Sequence, residues 1–498
     1  MDHLRHHWMW EGKARPGHVR RTRVQQDEDQ ECKGWGDREV IDMSLLELAK
    51  KTVDRAVKEG AYQAEVKVYS LREALTRYTK NVIHQNVASQ DYGVSLKVVV
   101  ERNKVGMTSV NSLEEEAIQE GLRRALKIAK VSKPDPDFKT LPEPKAITPL
   151  RGIYYKETAE YTPEEMAEGV KRVIETAKDY DKNVRWSAGS FTTTVVGLAI
   201  TNSLGVEAES KHTVASLEVI TKAGPTGQEG SGYRVKRSRN VKEIDPGAVA
   251  LDAARDAVES MNPKRIPLGE YEAVLRPEAV STFLGFLGRL GFSARVYQEE
   301  RSFLRGKMGT QLFDEKLTIW DNGRDLRTLT PSAFDGEGVP KRGLMLVNGG
   351  VPENLCYDTY TALKEGKEST GHAIMRFGRA FFIDMPLPVN QVVSPGDASM
   401  DELVEETKRG VLITRFWYVN PIRWDLAVIS GMTSDGIWLI ENGEIKHASQ
   451  QMRFTDSVLR ALGNIDAIGD ESTVEKTTNG TTPAIKVHRF RFTGHTEF

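Results

Sequence analysis

The residues of this chain that could do chemistry begin with one glutamate near the start of a predicted helix. Glu278 follows the strand-like run Tyr271–Leu275, and helical spacing extends from Pro277 to about Leu290. A glutamate can act as a general base on a metal-bound water when metal ligands stand beside it. Neither Pro277 nor Thr282 suits that role, because proline has no donor atom and a neutral hydroxyl is a poor zinc ligand compared with imidazole.

A second candidate is His372, which stands beside Ser369 and Thr370 and suggests a Ser-His hydrolase as an alternative. No G-x-S-x-G nucleophile elbow occurs in the sequence. A structural or peptide-contacting histidine is therefore the favoured interpretation. Cys356, next to Tyr357, is interpreted as a small core residue and not as a nucleophile.

Charge and cysteine usage exclude several classes of function. The net charge of −2 gives no overall field to attract nucleic acid or an anionic membrane. The local basic run at 236–239 (KRSR) is interpreted as a solvated loop. No apolar stretch of roughly 18 residues occurs, which excludes a membrane-spanning helix. Two distant cysteines, Cys32 and Cys356, cannot form a disulfide framework and suit a reducing cytoplasm.

Residue periodicity predicts an α+β fold. The N-terminal half should combine antiparallel strands with flanking helices, and the C-terminal half should be built on an extended, mostly antiparallel sheet. Helix starts are predicted at Ser44, at a capping box from Ser112 to Glu115, and at Thr162 with Pro163 in the first helical position. Hairpin turns are predicted at Asn202–Gly205 and at Asn442-Gly443, and the glycine-dense run 224–232 is predicted to be a mobile loop.

Composition shifts divide the chain into three parts. Residues 1–42 lack both helical and strand periodicity, so we expect a disordered or artefactual extension. Residues 43–262 are predicted to form the N-terminal α+β domain, with a proline- and charge-rich linker near 133–149. The break at 262–267 leads into a β-rich domain over 267–498.

An ordered set of short motifs resembles the TldD/PmbA family of peptidases. The motifs are the runs at 277–282 (PEAVST), 334–342 (FDGEGVPKR), 369–373 (STGHA), 386–390 (PLPVN), 394–397 (SPGD), 409–414 (RGVLIT) and 441–445 (ENGEI). Each motif is short, but their order is specific; upstream, Gly93–Gly106 with the helix to Ala129 is also similar to the family, so the resemblance covers almost the whole chain after residue 43. The resemblance identifies residues 267–498 as a degenerate version of the family's metallopeptidase domain.

The resemblance also implies where a metal site should lie. Active members of the family carry His-Glu-x-x-x-His on the helix that starts here, and a cysteine near the C-terminus completes their zinc site. Glu278 matches the family glutamate and is the candidate catalytic residue, but Pro277 and Thr282 replace the histidines. No cysteine follows Cys356. We therefore expect no metal site in this chain, and His372 and Asn390 are assigned to the substrate chamber.

The function implied by the resemblance is that of a PmbA-like subunit of a cytoplasmic zinc peptidase acting on peptides or unfolded proteins. Zinc is expected in a TldD-like partner, although a dimer of this chain with itself stays open. One alternative is an active homo-oligomeric metallopeptidase that uses atypical ligands such as His372 with Glu278. Another is a non-enzymatic regulatory or binding protein, as the family's description as modulators of DNA gyrase suggests. No contact with nucleic acid or membrane is expected.

Deleting residues 1–42 tests the interpretation of the N-terminal segment. Because the segment lacks periodic apolar residues, it can bury little apolar surface. We expect the free energy of unfolding of the truncated chain to lie within about 1 kcal/mol of that of the full chain, which is a small change for one domain. Urea unfolding measures the difference, and a loss of more than about 2 kcal/mol would show that the segment contributes to the fold.

Overall fold

The structure, a computed structural model, describes residues 44–374, 385–475 and 477–496. The prediction for residues 1–42 lies outside them. The first described element is helix α1 (Leu45–Lys58), which the sequence predicts. Ser44 caps it, because the Ser44 hydroxyl accepts from the backbone N–H of Glu47 and the Glu47 carboxylate accepts from the backbone N–H of Ser44.

Six antiparallel strands form the first sheet, in the order β3-β2-β1-β4-β5-β6. These strands are β1 (Gln63–Thr79), β2 (Val82–Val100), β3 (Lys104–Val110), β4 (Val184–Asn202), β5 (Glu207–Ala223) and β6 (Gly230–Ser238). The further helices of this half are α2 (Glu115–Val131), α3 (Lys156–Ala159), α4 (Pro163–Tyr180) and α5 (Pro246–Glu259). Helices α1 and α2 pack on β1 and β2, whereas α4 and α5 pack on β4 and β5.

The two faces of the first sheet have different roles. Along β5, Leu217 and Val219 are buried in the core against the helices. The alternate residues His212, Ser216 and Glu218 point to the opposite face and line a cavity. One face of the sheet is thus closed by helices, and the other is available to a ligand.

Eleven strands form the second sheet. They are β7 (Gly269–Leu275), β8 (Ile319–Asn322), β9 (Gly343–Asn348), β10 (Val351–Pro352), β11 (Gln391–Val393), β12 (Arg409–Arg423), β13 (Val428–Glu441), β14 (Glu444–Ala448), β15 (Met452–Ser457), β16 (Ile465–Val474) and β17 (Thr481–His495). Its helices are α6 (Pro277–Leu287), α7 (Ala294–Gln298), α8 (Thr359–Lys364), α9 (Met400–Glu405) and α10 (Val458–Leu462). A turn of π-helix (Gly288–Phe292) continues α6.

Aromatic packing fixes α6 on the second sheet. The ring of Phe283 stacks on Phe416, with 5.2 Å between the centroids, and Phe490 lies 6.0 Å from Phe283. All three side chains belong to one large core cluster. Because α6 follows β7 after a single residue, this packing also fixes the position of its first turn, which carries Glu278.

The predicted α+β fold is confirmed, as is the mostly antiparallel character of the second sheet. Only β7 with β12 and β11 with β17 pair in parallel among the described strands. The domain boundaries stay predictions. Residues 133–149 contain no helix or strand but are held to the first sheet, since Gln63 accepts from the Leu141 N–H at 3.0 Å and Asn202 donates to the Pro142 carbonyl at 2.8 Å. Within the described part of the chain, no helix is long and apolar enough to cross a membrane.

Two local predictions were wrong. Helix α2 begins at Glu115 without a side-chain cap on its N-cap residue Glu114, because the Ser112 hydroxyl accepts from the nearby N–H of Glu114 instead. The glycine-dense run 224–232 is not a loop throughout. Residues 224–229 lie outside the strands, whereas Gly230 and Gly232 belong to β6. A Cβ on Gly232 would lie 2.0 Å from the backbone oxygen of Ala253, so glycine here allows α5 to approach the strand.

Candidate functional site

Glu278 lies in the first turn of α6, where a negative charge is favoured by the helix dipole. The Ser281 and Thr282 hydroxyls both donate to the Glu278 carbonyl, at 2.9 and 3.2 Å. These bonds direct the two hydroxyl groups toward the helix backbone. Pro277 occupies the first helical position, where its missing N–H costs nothing.

Two residues from distant parts of the sequence meet Glu278. Arg237, on β6 of the first sheet, places Nη1 3.7 Å from Glu278 Oε2 and 3.6 Å from Glu475 Oε2. Glu475 directly follows β16 and accepts a hydrogen bond from the Thr473 hydroxyl at 2.7 Å through Oε1. The side chains of Arg237 and Glu475 are 4% and 5% exposed, and that of Glu278 is 22% exposed. We call these three residues the Arg237 cluster.

Burial and a neighbouring acid in the Arg237 cluster disfavour the ionised form of Glu475. Burial, and then the hydrogen bond and the charge of Glu278, raise the pKa of Glu475 well above its ordinary value. The Oε2 atoms of both glutamates are buried and accept no hydrogen bond from the described residues. The raised pKa favours a proton on Glu475, which can be shared with the neighbouring carboxyl group.

A zinc ion does not fit these residues. Two carboxyl groups are present without an imidazole or a thiolate, and the Arg237 guanidinium occupies the position beside both of them. A second cation there would be repelled by that guanidinium. Over residues 44–374, 385–475 and 477–496, no three His, Cys, Asp or Glu side chains converge as metal ligands.

A cavity of about 1080 Å³ lies on the open face of the first sheet and has Arg237 in its wall. Its lining combines residues of β1, β4 and β5 with Leu329, Thr330 and Asn479 from the C-terminal half. Burial lowers the pKa of His212 in this lining to about 4, so its imidazole is neutral near pH 7. The volume is in the range of ligand-binding pockets.

His372 and Asn390 lie together in a different buried network, centred on Asp321. The His372 ring places Nε2 3.2 Å from Asp321 Oδ1, and its Nδ1 is within hydrogen-bonding distance of Thr370. Asn390 donates its backbone N–H to Asp321 Oδ2 at 2.7 Å, and its side-chain oxygen accepts from Lys341 at 3.1 Å. Although burial raises the pKa of Asp321, the hydrogen bond with His372 and the charges around it lower the pKa overall.

The structure thus brings His372 and Asn390 to each other, and no described contact joins either of them to Glu278. The Ser369 hydroxyl donates to the Tyr357 carbonyl and not to His372, so these two do not form a nucleophile and base pair. The assignment of His372 and Asn390 to a substrate chamber stays a prediction.

Sequence reasoning missed Arg237 and Glu475 as partners of Glu278. The basic run at 236–239 was expected in a solvated loop, and that expectation was wrong, because residues up to Ser238 belong to β6 and Arg237 is buried. No local pattern indicates the contact, since about 40 and 200 residues separate Glu278 from its two partners. Only the packing of β6 against the second sheet brings them together.

Comparison with known proteins gives matches along most of the chain. Models of the PmbA/TldA metallopeptidase match three segments: domain 1 over residues 64–129, the central domain over 156–261 and the C-terminal domain over 268–494. The chain is 28% identical over 340 residues to an uncharacterised protein of Methanocaldococcus jannaschii, covering 68% of this chain and 76% of that protein. It is 22% identical over 445 residues to the metalloprotease PmbA of Escherichia coli O157:H7, covering 86% and 94% of the two chains.

A solved structure shares the fold. TldE from Thermococcus kodakarensis superposes with a TM-score of 0.82 at 22% identity, and the match covers 90% of this chain and all of the other. At that identity the likeness shows the fold alone.

Replacing Glu475 by glutamine tests the shared proton. Because the pKa of Glu475 is raised in the folded protein, the folded state binds more protons than the unfolded state above pH 4.5, and the stability due to this group falls as the pH rises. Glu475→Gln has no proton to lose and still offers a donor to Glu278. We expect it to raise the urea midpoint at pH 8, and the gain should shrink toward pH 5.

The matched control is Glu471→Gln, which makes the same substitution at an exposed position of β16. Its midpoint should stay close to that of the unmodified chain at both pH values. A midpoint of Glu475→Gln below that of the unmodified chain at pH 8 would show that Glu475 is ionised and stabilising.

Proposed function

This chain belongs to the TldD/PmbA metallopeptidase family, and we propose that within it the chain is a PmbA-like subunit that holds no zinc of its own. A TldD-like partner would carry the metal, and the assembly would act in the cytoplasm on peptides or unfolded proteins. The observation that carries this proposal is Arg237, whose guanidinium lies against Glu278 where active members of the family need a metal.

The role of Glu278 follows from the same contact. A glutamate serves as the base of a metallopeptidase only when a metal-bound water lies within hydrogen-bonding reach. Here Glu278 is held between a guanidinium and a second carboxyl group. We therefore assign the base of the hydrolytic reaction to the partner, and Glu278 of this chain is not part of the hydrolytic step.

The cavity on the first sheet supports a peptide as the substrate class. Its lining alternates along β1, β4 and β5 and includes apolar, hydroxyl and charged side chains, which suits a backbone with varied side chains. The net charge of −2 gives no general attraction to DNA. These two features favour peptide handling over direct contact with nucleic acid.

Zinc analysis of the purified chain is the first test. Since neither Pro277 nor Thr282 is a zinc ligand and Arg237 repels a second cation, we expect well under one equivalent of zinc after dialysis against zinc-free buffer. Elemental analysis by mass spectrometry measures the content. One tightly bound zinc per chain would contradict the proposal and favour the active homo-oligomer.

The second test mixes the chain with a TldD-like protein from the same source. We expect the two to co-elute in gel filtration and to hydrolyse an unfolded protein at least about tenfold faster than either alone, because the metal and the complete chamber come from different chains. The TldD-like protein with its motif glutamate replaced by glutamine is the control, and it should remove the activity. Equal rates for the mixture and for this chain alone would contradict the division of roles.

A further inference from the structure

We infer that the Arg237 cluster binds the free N-terminus of a peptide, with the ammonium group on the carboxyl pair Glu278–Glu475 and the first carbonyl oxygen on Arg237. The inference rests on the proposed function in taking a peptide as the ligand, and it goes further by naming the end that is recognised. The ligand class is a peptide with an unmodified α-amino group.

The first reason is the balance of charge. Two acids meet one guanidinium in the cluster, so one negative charge is left over when both acids are ionised. Among the described residues, no other cation forms an ion pair with either acid: Arg415 is bonded to Asp435 at 2.7 Å, and the His212 imidazole is neutral. Burial is the main cause that raises the pKa of Tyr233 beside the cluster; the charges of Glu278 and Glu218 add to it, and those of Arg237 and Arg415 oppose it. A proton or a cationic ligand group compensates the excess.

The second reason is the set of donors on Arg237. Its Nε and Nη1 atoms are buried, and neither has a hydrogen-bond partner among the described residues. At 3.6 and 3.7 Å its contacts with the acids are too long for hydrogen bonds. A buried donor without an acceptor is costly, and Arg237 is also the member of the cluster that lines the cavity. An oxygen entering from the cavity therefore finds unused N–H groups.

The two requirements together select the N-terminus. In a peptide the α-ammonium and the first carbonyl are separated by one Cα atom, so a cation and an acceptor arrive side by side. A lysine side chain would bring an ammonium without the oxygen, and a carboxylate would add to the excess negative charge. The hydrogen bonds among the described residues leave the Nε and Nη1 donors of the guanidinium free to take an acceptor.

Binding should release the shared proton. When an ammonium compensates the carboxyl pair, Glu475 no longer needs its proton and passes it to the buffer. The groups that face Glu475 and set this exchange are Glu278 and Arg237, with Thr473 as a neutral donor. At pH 6.5 an α-amino group, with its ordinary pKa of about 7.7–8.0, is charged before it binds. The release of a proton thus reports on Glu475 and not on the peptide.

The experiment is isothermal titration calorimetry of the full-length chain at pH 6.5 with two probes, tetra-alanine and N-acetyl-tetra-alanine. We expect tetra-alanine to bind about 10- to 100-fold more tightly, the range for hydrogen bonds to charged groups. Titrations in buffers of different ionisation enthalpy should show about one proton released per tetra-alanine. N-acetyl-tetra-alanine should release none.

Glu475→Gln and Glu471→Gln form a matched pair of variants for this measurement. Glu475→Gln cannot ionise but keeps a donor toward Glu278, so the preference for the free amine should fall below about threefold and proton release should vanish. Glu471→Gln removes an exposed charge from the same strand and should keep both. Circular dichroism of both variants verifies that they are folded.

Each contrary result has a distinct meaning. Equal affinity for the two probes, or a preference that survives in Glu475→Gln, overturns the N-terminal site and leaves the peptide function intact. Tight binding of an N-acetylated tetrapeptide that contains lysine also overturns it, since a side-chain ammonium would then suffice. If neither probe binds at 1 mM, which corresponds to a binding free energy of about 4 kcal/mol, the N-terminal site is refuted. Hydrolysis by the mixed assembly then decides the proposed function separately.

Discussion

Buried charge between the first sheet with its helices and the C-terminal half constrains how the two pack. Asp256 on α5 is bonded by Arg234 on β6 and, at 2.6 Å, by Arg276 just before α6. Asp435 on β13 is bonded by Arg415 and accepts from Ser231 on β6 at 2.5 Å. Each acid thus has an arginine from its own half, Arg234 or Arg415, and a further donor from the other half, because an uncompensated buried charge would cost several kcal/mol. These contacts position β6 against α6, and the candidate site is built at that junction.

The Arg237 cluster differs from these two contacts in its balance of positive and negative charge. Asp256 and Asp435 each have enough cationic partners, and hydroxyl groups supply further donors to Asp435. In the cluster, one guanidinium faces two acids without a hydrogen bond to either, and several polar atoms lack partners. Most buried polar groups in proteins are hydrogen-bonded, so several unpartnered atoms in one place indicate a ligand-dependent arrangement more than a stabilising one.

The sequence predicts the elements of this fold better than it predicts their contacts. Helix α4 starts with the predicted Thr162 cap and Pro163, and the Asn442-Gly443 turn joins β13 to β14, because both depend on a few neighbouring residues. Arg237 was assigned to a solvated loop because a basic run at the end of a strand has the same composition as such a loop. Gly232 was assigned to a loop, whereas it lies in β6. Glycine is needed there because α5 approaches closely, and the contacting residue of α5 is about 20 positions away in the sequence. Local patterns hold no information on such distant neighbours.

The glutamate that the resemblance identifies illustrates how a site changes its chemistry when its neighbours change. Beside imidazole ligands and a metal, a carboxylate at the start of a helix accepts a proton from water. Beside Arg237 and Glu475, the same carboxylate is one half of an acid pair, and its charge is already partly compensated. A cation of charge +2 is then disfavoured by the guanidinium, whereas a proton or an ammonium of charge +1 restores neutrality. Under the proposed function, the residues at 277 and 282 and the buried Arg237 act in the same direction, away from a metal and toward a singly charged group.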